Sequence, residues 1–256
     1  MPIHLNFDNA LAYVVLDRPQ ALNALNFAML RELSDAFDAV EASDARALVI
    51  TGVGPKAFCA GADIAELIDR DLIAEREGAR FGQMTFAKLD RLRIPSIAVI
   101  HGYAFGGGLE LALACTFRLA TPSARVALPE IRLGLIPGYG GTQRLPRLIG
   151  EARALELVMS GRTVEAPEAE RIGLVNELAD ADDPQAIGAA FASRFTGFSL
   201  CASRFAREAV SRGAGVDLQE GLRIEADLST LAYRTHDAAE GMRAFVEKRT
   251  PNFLDE

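Results

Sequence analysis

Residues Ser96–Ala120 read SIAVIHGYAFGGGLELALACTFRLA, and this stretch decides the fold class. Ser96–His101 (SIAVIH) follows Pro95 directly and is an apolar run rich in β-branched residues, the pattern of a buried strand. Gly106, Gly107 and Gly108 then open LELALAC, which is apolar on nearly every side and reads as a buried helix. Phe117–Ala120 is another strand of the same style. Strands separated by helices imply an α/β core.

The pattern extends in both directions. Ile3–Phe7 and Leu11–Leu16 flank Asp8-Asn9-Ala10 as a hairpin, and Arg18-Pro19 stops the second strand. Phe27, Leu30, Leu33, Phe37 and Val40 recur at helical spacing and predict an amphipathic helix over Asn26–Ala42. Ala47–Thr51 is a further buried strand, and Gly52–Ala62 a loop rich in Gly and Ala. Asp63–Arg70 reads as a short helix, Glu75–Arg93 as a longer one, and Arg125–Leu128 as a short strand. From about Asp183 the chain reads almost wholly helical: Gln185–Arg194, Leu200–Ser211, Leu218–Tyr233 and Asp237–Lys248. The division falls near residue 196, giving an α/β core over 1–195 and a helical region over 196–256.

Composition narrows the function classes. The chain has 256 residues, half of them hydrophobic, enough for a sizeable core. Its net charge of −8 disfavours nucleic acid or an anionic membrane as the main partner. No apolar run approaches the ~20 residues that span a bilayer. Cys59, Cys115 and Cys201 are odd in number, widely spaced and set among apolar residues, which argues against a disulfide framework. The start, MPIHLNFDNA, lacks the pattern of a signal peptide, so a cytoplasmic protein is expected.

Two carboxylates stand out. Glu110 has Gly106, Gly107, Leu113 and Ala114 as its helical neighbours, none able to pair with it. It is either a desolvated acid–base group with a raised pKa, or a carboxylate at an exposed edge placed there by the helix dipole. The three preceding glycines bring backbone N–H groups close to a ligand, or form a tight turn with positive φ. Glu130 follows Pro129, with Arg132 as a candidate surface partner, and Gly138, Gly140 and Gly141 mark a second loop of close backbone approach. Two carboxylates in one pocket would supply two proton-transfer groups, but a separation of 20 residues does not prove proximity. Phe58–Ile64 (FCAGADI) exposes backbone donors or packs as a close turn, and Asp63 is a candidate N-cap.

Rival motifs fare worse. The Walker ending and the G-x-S-x-G elbow are absent. Gly52–Ala57 fits a dinucleotide loop only loosely and does not continue as a helix. His4, His101 and His236 form no metal-ligand pattern, so no metal is expected. Cys59 lacks an activating base and reads as a small buried hydrophobe.

Taken together, these segments resemble the enoyl-CoA hydratase/isomerase (crotonase) superfamily over nearly the whole chain. The resemblance runs from Arg18-Pro19 with Ala21–Leu25 (ALNAL), through AFCAGADI (57–64), GYAFGGGLEL (102–111) and PEIRLGLIPGYGGTQRL (129–145), to EGMRAFVEKR (240–249). It implies a spiral of repeated ββα units with a C-terminal helical region that builds homotrimers or homohexamers. It implies an oxyanion hole from the N–H groups of Ala62 and Gly107, and an acyl-CoA substrate path lined by Ala21, Leu22, Ala60, Gly61, Asp63, Ile64 and Gly138. Phe245 and Lys248 would reach the nucleotide end, and the Glu66–Lys88 segment would shape the acyl pocket. Hydratases of this kind carry both glutamates, whereas isomerases commonly keep only the one matching Glu130. The implied activity is hydration of a trans-2-enoyl-CoA to a (3S)-3-hydroxyacyl-CoA, with Glu110 and Glu130 catalytic and no cofactor beyond the coenzyme A of the substrate. The alternatives are an isomerase or specialised hydratase of the same family, or a non-catalytic acyl-CoA-binding homo-oligomer. Tyr139 either narrows the acyl pocket, donates a hydrogen bond into it, or is a surface aromatic.

Overall fold

The structure, a computed structural model, describes residues 1–181 and 183–256. Two compact units emerge, Met1–Ala192 and Ser193–Glu256.

The first unit contains, in chain order, β1 (Ile3–Asp8), β2 (Leu11–Leu16), α1 (Phe27–Glu41), β3 (Ala47–Gly52), β4 (Ala57–Cys59), α2 (Leu72–Arg91), β5 (Ser96–Ile100), β6 (Tyr103–Phe105) and α3 (Gly107–Ala114). It continues with β7 (Phe117–Ala120), β8 (Arg125–Ala127), α4 (Gly141–Ile149), α5 (Glu151–Ser160), β9 (Val164–Glu165), α6 (Ala166–Arg171), β10 (Glu177–Leu178) and α7 (Pro184–Ala192). One sheet has the order β1-β2-β3-β5-β7-β10 and the other β4-β6-β8-β9. Among the strand pairs of the described residues, β1–β2 and β8–β9 are antiparallel and the others run parallel.

The topology is a spiral. From β3 onward each turn gives one strand to the large sheet, a short one to the small sheet, and then a helix: β3-β4-α2, β5-β6-α3, β7-β8-α4. Parallel neighbours need such crossovers, and their strands are covered on both faces. Accordingly β3 and β5 are buried along their whole length. The helix α3 is buried at all eight positions, the fate of a helix with no polar face.

Local signals account for the long elements. Asn26 caps α1 by accepting the Met29 N–H at 2.8 Å. Asn9 adopts positive φ in the β1–β2 turn. The expected short helix over Asp63–Arg70 is only a 3₁₀ turn, Ile64–Glu66, capped by Asp63. The expected helix start at Glu75 is also late. The helix α2 begins at Leu72 because the Asp71 carboxylate accepts the Ala74 N–H, while exposed Leu72 and Ile73 give no burial pattern to read. The segment expected as a loop over Gly52–Ala62 contains β4, whose three residues are too few to show a period.

The second unit contains α8 (Leu200–Gly213), α9 (Leu218–Ala232) and α10 (His236–Glu247), capped by Ser199, Asp217 and Thr235. Asp237 is buried and accepts the Leu254 N–H at 2.7 Å, which ties the C-terminal segment to α10. Among the described residues no helix is long and apolar enough to cross a membrane.

Candidate active site

The first unit holds a cavity of about 630 Å³, lined by apolar side chains and exposed backbone. Its floor is the start of α3. Gly106, just before the helix, has φ +48° with ψ −124°, a conformation open to glycine. A methyl on Gly106 would stand 2.9 Å from Glu130 Oε1, so the missing side chain also makes room for that carboxylate. Gly108 has a separate reason: a methyl there would lie 2.1 Å from the Cys59 carbonyl oxygen of β4. The glycine run is therefore a packing and approach device, and it delivers the N-terminus of α3 to the cavity.

Two N–H groups converge there. Leu25 donates to the Gly61 carbonyl at 2.7 Å and accepts from the Asp63 N–H at 2.8 Å. The residue between, Ala62, consequently turns its own N–H away from Leu25. Gly107 is the first residue of α3, where an N–H has no intrahelical acceptor. A methyl on Gly107 would be 3.4 Å from the Ala62 nitrogen, which places the two groups side by side at the cavity wall. Two adjacent N–H donors at a helix N-terminus form a site for an oxygen that gains negative charge.

Glu110 lies one turn into α3 and is 2% exposed. One carboxylate oxygen accepts N–H bonds from Tyr139 at 2.8 Å and Gly141 at 2.7 Å. Burial raises its pKa to about 7; the Gly141 bond opposes this, and the nearby Glu130 charge adds to it. The exposed-edge reading of Glu110 is thereby excluded. Glu130 sits in the 3₁₀ turn Pro129–Leu133, and burial raises its pKa as well. The expected surface partnership with Arg132 does not form: Glu130 Oε2 is buried and has no hydrogen-bond partner among the described residues. The turn aims the side chain inward, toward Gly106, and leaves Arg132 outside.

Glu110, Glu130, Ala62, Gly107, Ala60, Gly61, Ile64 and Gly138 all line the cavity. Asp63 does not; it caps the 3₁₀ turn and pairs with Arg18 at 2.7 Å, fixing the loop from behind. Ala21 and Leu22 also stand behind the wall, where the Leu22 carbonyl accepts the Ala60 N–H at 3.0 Å. Phe245 and Lys248 belong to the helical unit; Phe245 is 86% exposed and Lys248 is the left-handed C-cap of α10. Tyr139 lines the cavity and is 8% exposed, so it is not a surface aromatic.

One supporting residue was not singled out from sequence. Asn23 is fully buried with φ +57°, and its side-chain amide reaches the carbonyls of Val53, Ala57 and Phe58. It also accepts the Arg18 N–H at 2.9 Å. One side chain thus ties the 18–25 turn to Val53 and to β4, the strand that leads into the loop carrying Ala62. The signal was its place inside ALNAL, where a polar residue interrupts an apolar run. Cys59 is buried with its thiol pushed up to about 12, consistent with a packing role. His101 Nε2 donates to the Gly54 carbonyl at 2.8 Å and lies outside the cavity.

The chain is similar to known proteins along its length. The family model described as enoyl-CoA hydratase/isomerase matches residues 6–256. A protein described as a probable enoyl-CoA hydratase from Mycobacterium tuberculosis is 45% identical over 247 residues, covering 96% of this chain and 95% of that one. A crotonyl-CoA hydratase from Syntrophomonas wolfei is 41% identical over 253 residues, covering 98% and 97%. The crystal structure of an enoyl-CoA hydratase from Bacillus anthracis superposes with a TM-score of 0.95 at 38% identity, covering 100% of both chains. With the spiral fold, the paired N–H groups and the two cavity carboxylates in view, the match over residues 6–256 makes this chain a member of the enoyl-CoA hydratase/isomerase family.

Proposed function

We propose that this chain is an enoyl-CoA hydratase that adds water reversibly across the double bond of a trans-2-enoyl-CoA, giving a (3S)-3-hydroxyacyl-CoA. The observation that carries this reading is the pair Glu110 and Glu130, one carboxylate buried and the other half-buried, facing one cavity beside the backbone N–H groups of Ala62 and Gly107.

The thioester oxygen accepts from the N–H groups of Ala62 and Gly107, which polarises the enoyl system and makes C3 electrophilic. Loss of one such donor typically costs about 3 kcal/mol of transition-state stabilisation. Water is held between the carboxylates. Glu110 takes a proton from it as its oxygen bonds to C3, and Glu130 gives a proton to C2. The elements of water are added, and one proton has moved from Glu130 to Glu110; its return resets the pair. The reacting form is the one in which Glu110, supported by the Tyr139 and Gly141 N–H groups, carries the charge and Glu130 carries the proton. Their mutual repulsion favours this singly protonated state.

The remaining assignments belong to the same proposal. Ala60, Gly61, Ile64 and Gly138 line the substrate path, with Ala21, Leu22 and Asp63 holding it from behind. Phe245 and Lys248 contact the nucleotide end. The helical region, with Val210, Leu222, Leu231, Met242 and Val246 exposed, mediates assembly into a homotrimer or homohexamer. The enzyme works in the cytoplasm. The test is hydration of crotonyl-CoA by the purified chain, followed as loss of the conjugated-thioester ultraviolet absorbance. Rapid loss with wild type and none with Glu130→Gln supports the reading; equal loss with both refutes the two-carboxylate mechanism.

A further inference from the structure

Tyr139 touches both halves of the reacting centre. Its backbone N–H holds Glu110 at 2.8 Å. Its ring stands between α2 and the start of α3: a methyl on Gly107 would lie 3.2 Å from Cδ2, and a methyl on Gly82 only 2.3 Å from Cδ1. Phe86 meets the ring edge-on, with centroids 5.7 Å apart and planes at 87°. Gly82 lies in the interior of α2, where glycine is disfavoured. What its missing side chain admits is the ring of Tyr139. One turn earlier Gly78 does the same for Phe27, whose Cζ would lie 2.9 Å from a methyl there. Arg70 covers the Phe27 ring at 4.4 Å from its centroid. Both rings line the cavity, so one face of α2 carries two aromatic side chains seated in notches that hold them still.

We infer that Tyr139, locked into the Gly82 notch, is the residue that limits the acyl group, a fixed wall beside C3 that favours short unbranched 2-enoyl thioesters over long ones. This rests on the hydratase reading of the same cavity. With the thioester oxygen between Ala62 and Gly107 and C3 facing Glu110, the substituent on C3 leaves from a point bounded by the residue that covers Gly107 and holds Glu110. That residue is Tyr139. The ring, not the hydroxyl, forms the wall.

The experiment measures two ratios on the full chain: kcat/KM for trans-2-decenoyl-CoA over crotonyl-CoA, and the affinity for decanoyl-CoA over butyryl-CoA. Each further buried methylene is worth roughly fourfold in affinity. Tyr139→Ala, opening space for two or more, is expected to raise both ratios by more than about tenfold. Tyr139→Phe keeps both within about twofold of wild type, and Gly82→Ala, which drives the ring into the cavity, lowers both. Slowing of both substrates alike in Tyr139→Ala, with unchanged ratios, overturns the inference and leaves Tyr139 as packing. A Tyr139→Phe ratio that moves like that of Tyr139→Ala also overturns it, because the hydroxyl would then be the discriminating group. Tyr139→Val gives the same readings if the alanine variant does not fold. A wild-type chain that binds the saturated thioesters but hydrates neither enoyl-CoA refutes the hydratase reading, and the affinity ratios still decide the wall.

Discussion

Replacing Glu110 with Gln should make the protein more stable, and increasingly so as pH rises. In the folded chain burial moves the Glu110 pKa from an ordinary 4.5 to about 7. The unfolded chain therefore loses this proton first as pH increases, while the folded chain keeps it until about pH 7. A folded state that binds the proton more tightly loses stability through this window, and the loss is complete above it. Each pH unit is worth ~1.4 kcal/mol, so between about pH 5.5 and about pH 8.5 the loss attributable to Glu110 is about 2 kcal/mol. The Glu110→Gln variant retains an oxygen for the Tyr139 and Gly141 N–H groups and has no charge to desolvate. Any cost of its amide nitrogen is independent of pH and cancels in the comparison. Removing the charge also relieves Glu130, which works in the same direction. The assay is urea unfolding of both proteins across this range at one fixed protein concentration, since assembly shifts apparent stability. The gap between variant and wild type should widen by about 2 kcal/mol toward alkaline pH. A constant gap would refute the burial of an ionisable Glu110 and with it the acid–base role drawn from that burial.

Four further outcomes are expected. Glu130→Gln should lower kcat for crotonyl-CoA by about 10²–10⁴-fold with secondary structure unchanged by circular dichroism; a loss below about tenfold would remove Glu130 as proton donor. The pH profile of kcat/KM should rise near pH 7 as Glu110 ionises, and a flat profile over that range would contradict its role as the base. Asn23→Ala strips a donor from three carbonyls in a buried turn and should destabilise by about 2–4 kcal/mol in denaturant unfolding, against a cost under about 1 kcal/mol if the side chain is idle. Cys59 and Cys115 are buried with thiols pushed up to about 12, so a thiol reagent should modify at most Cys201 in the folded protein and all three after denaturation; two fast equivalents would mean an open core.

The long elements were legible because their information is local. The helix α1 announces itself by apolar residues at helical spacing and by Asn26 at its cap, and β5 by a continuous apolar run after Pro95. The helices α8, α9 and α10 show the same periodicity and each has a capping residue. The short strands β4 and β6 carry too few residues for a period, and they are strands because successive turns of the spiral bring them side by side with β8, which the sequence does show over Arg125–Leu128. Only the start of α2 differs from the expected one, because its first turn is exposed and its start depends on one capping carboxylate, Asp71.

The site divides in the same way. From sequence alone, Glu110 in an apolar segment, the glycines before it and the loops around Ala62 and Gly138 marked a place for chemistry, and the order of motifs marked the family. What sequence left open was the environment of each carboxylate. Glu110 read equally well as an exposed edge residue, and Glu130 as a partner of Arg132. Only the tertiary structure decides these points, because desolvation and repulsion are set by residues distant along the chain: Tyr139 and Gly141 from Glu110, and Gly106 from Glu130. A pKa depends on everything that surrounds a group in space, and sequence order records only two of its neighbours.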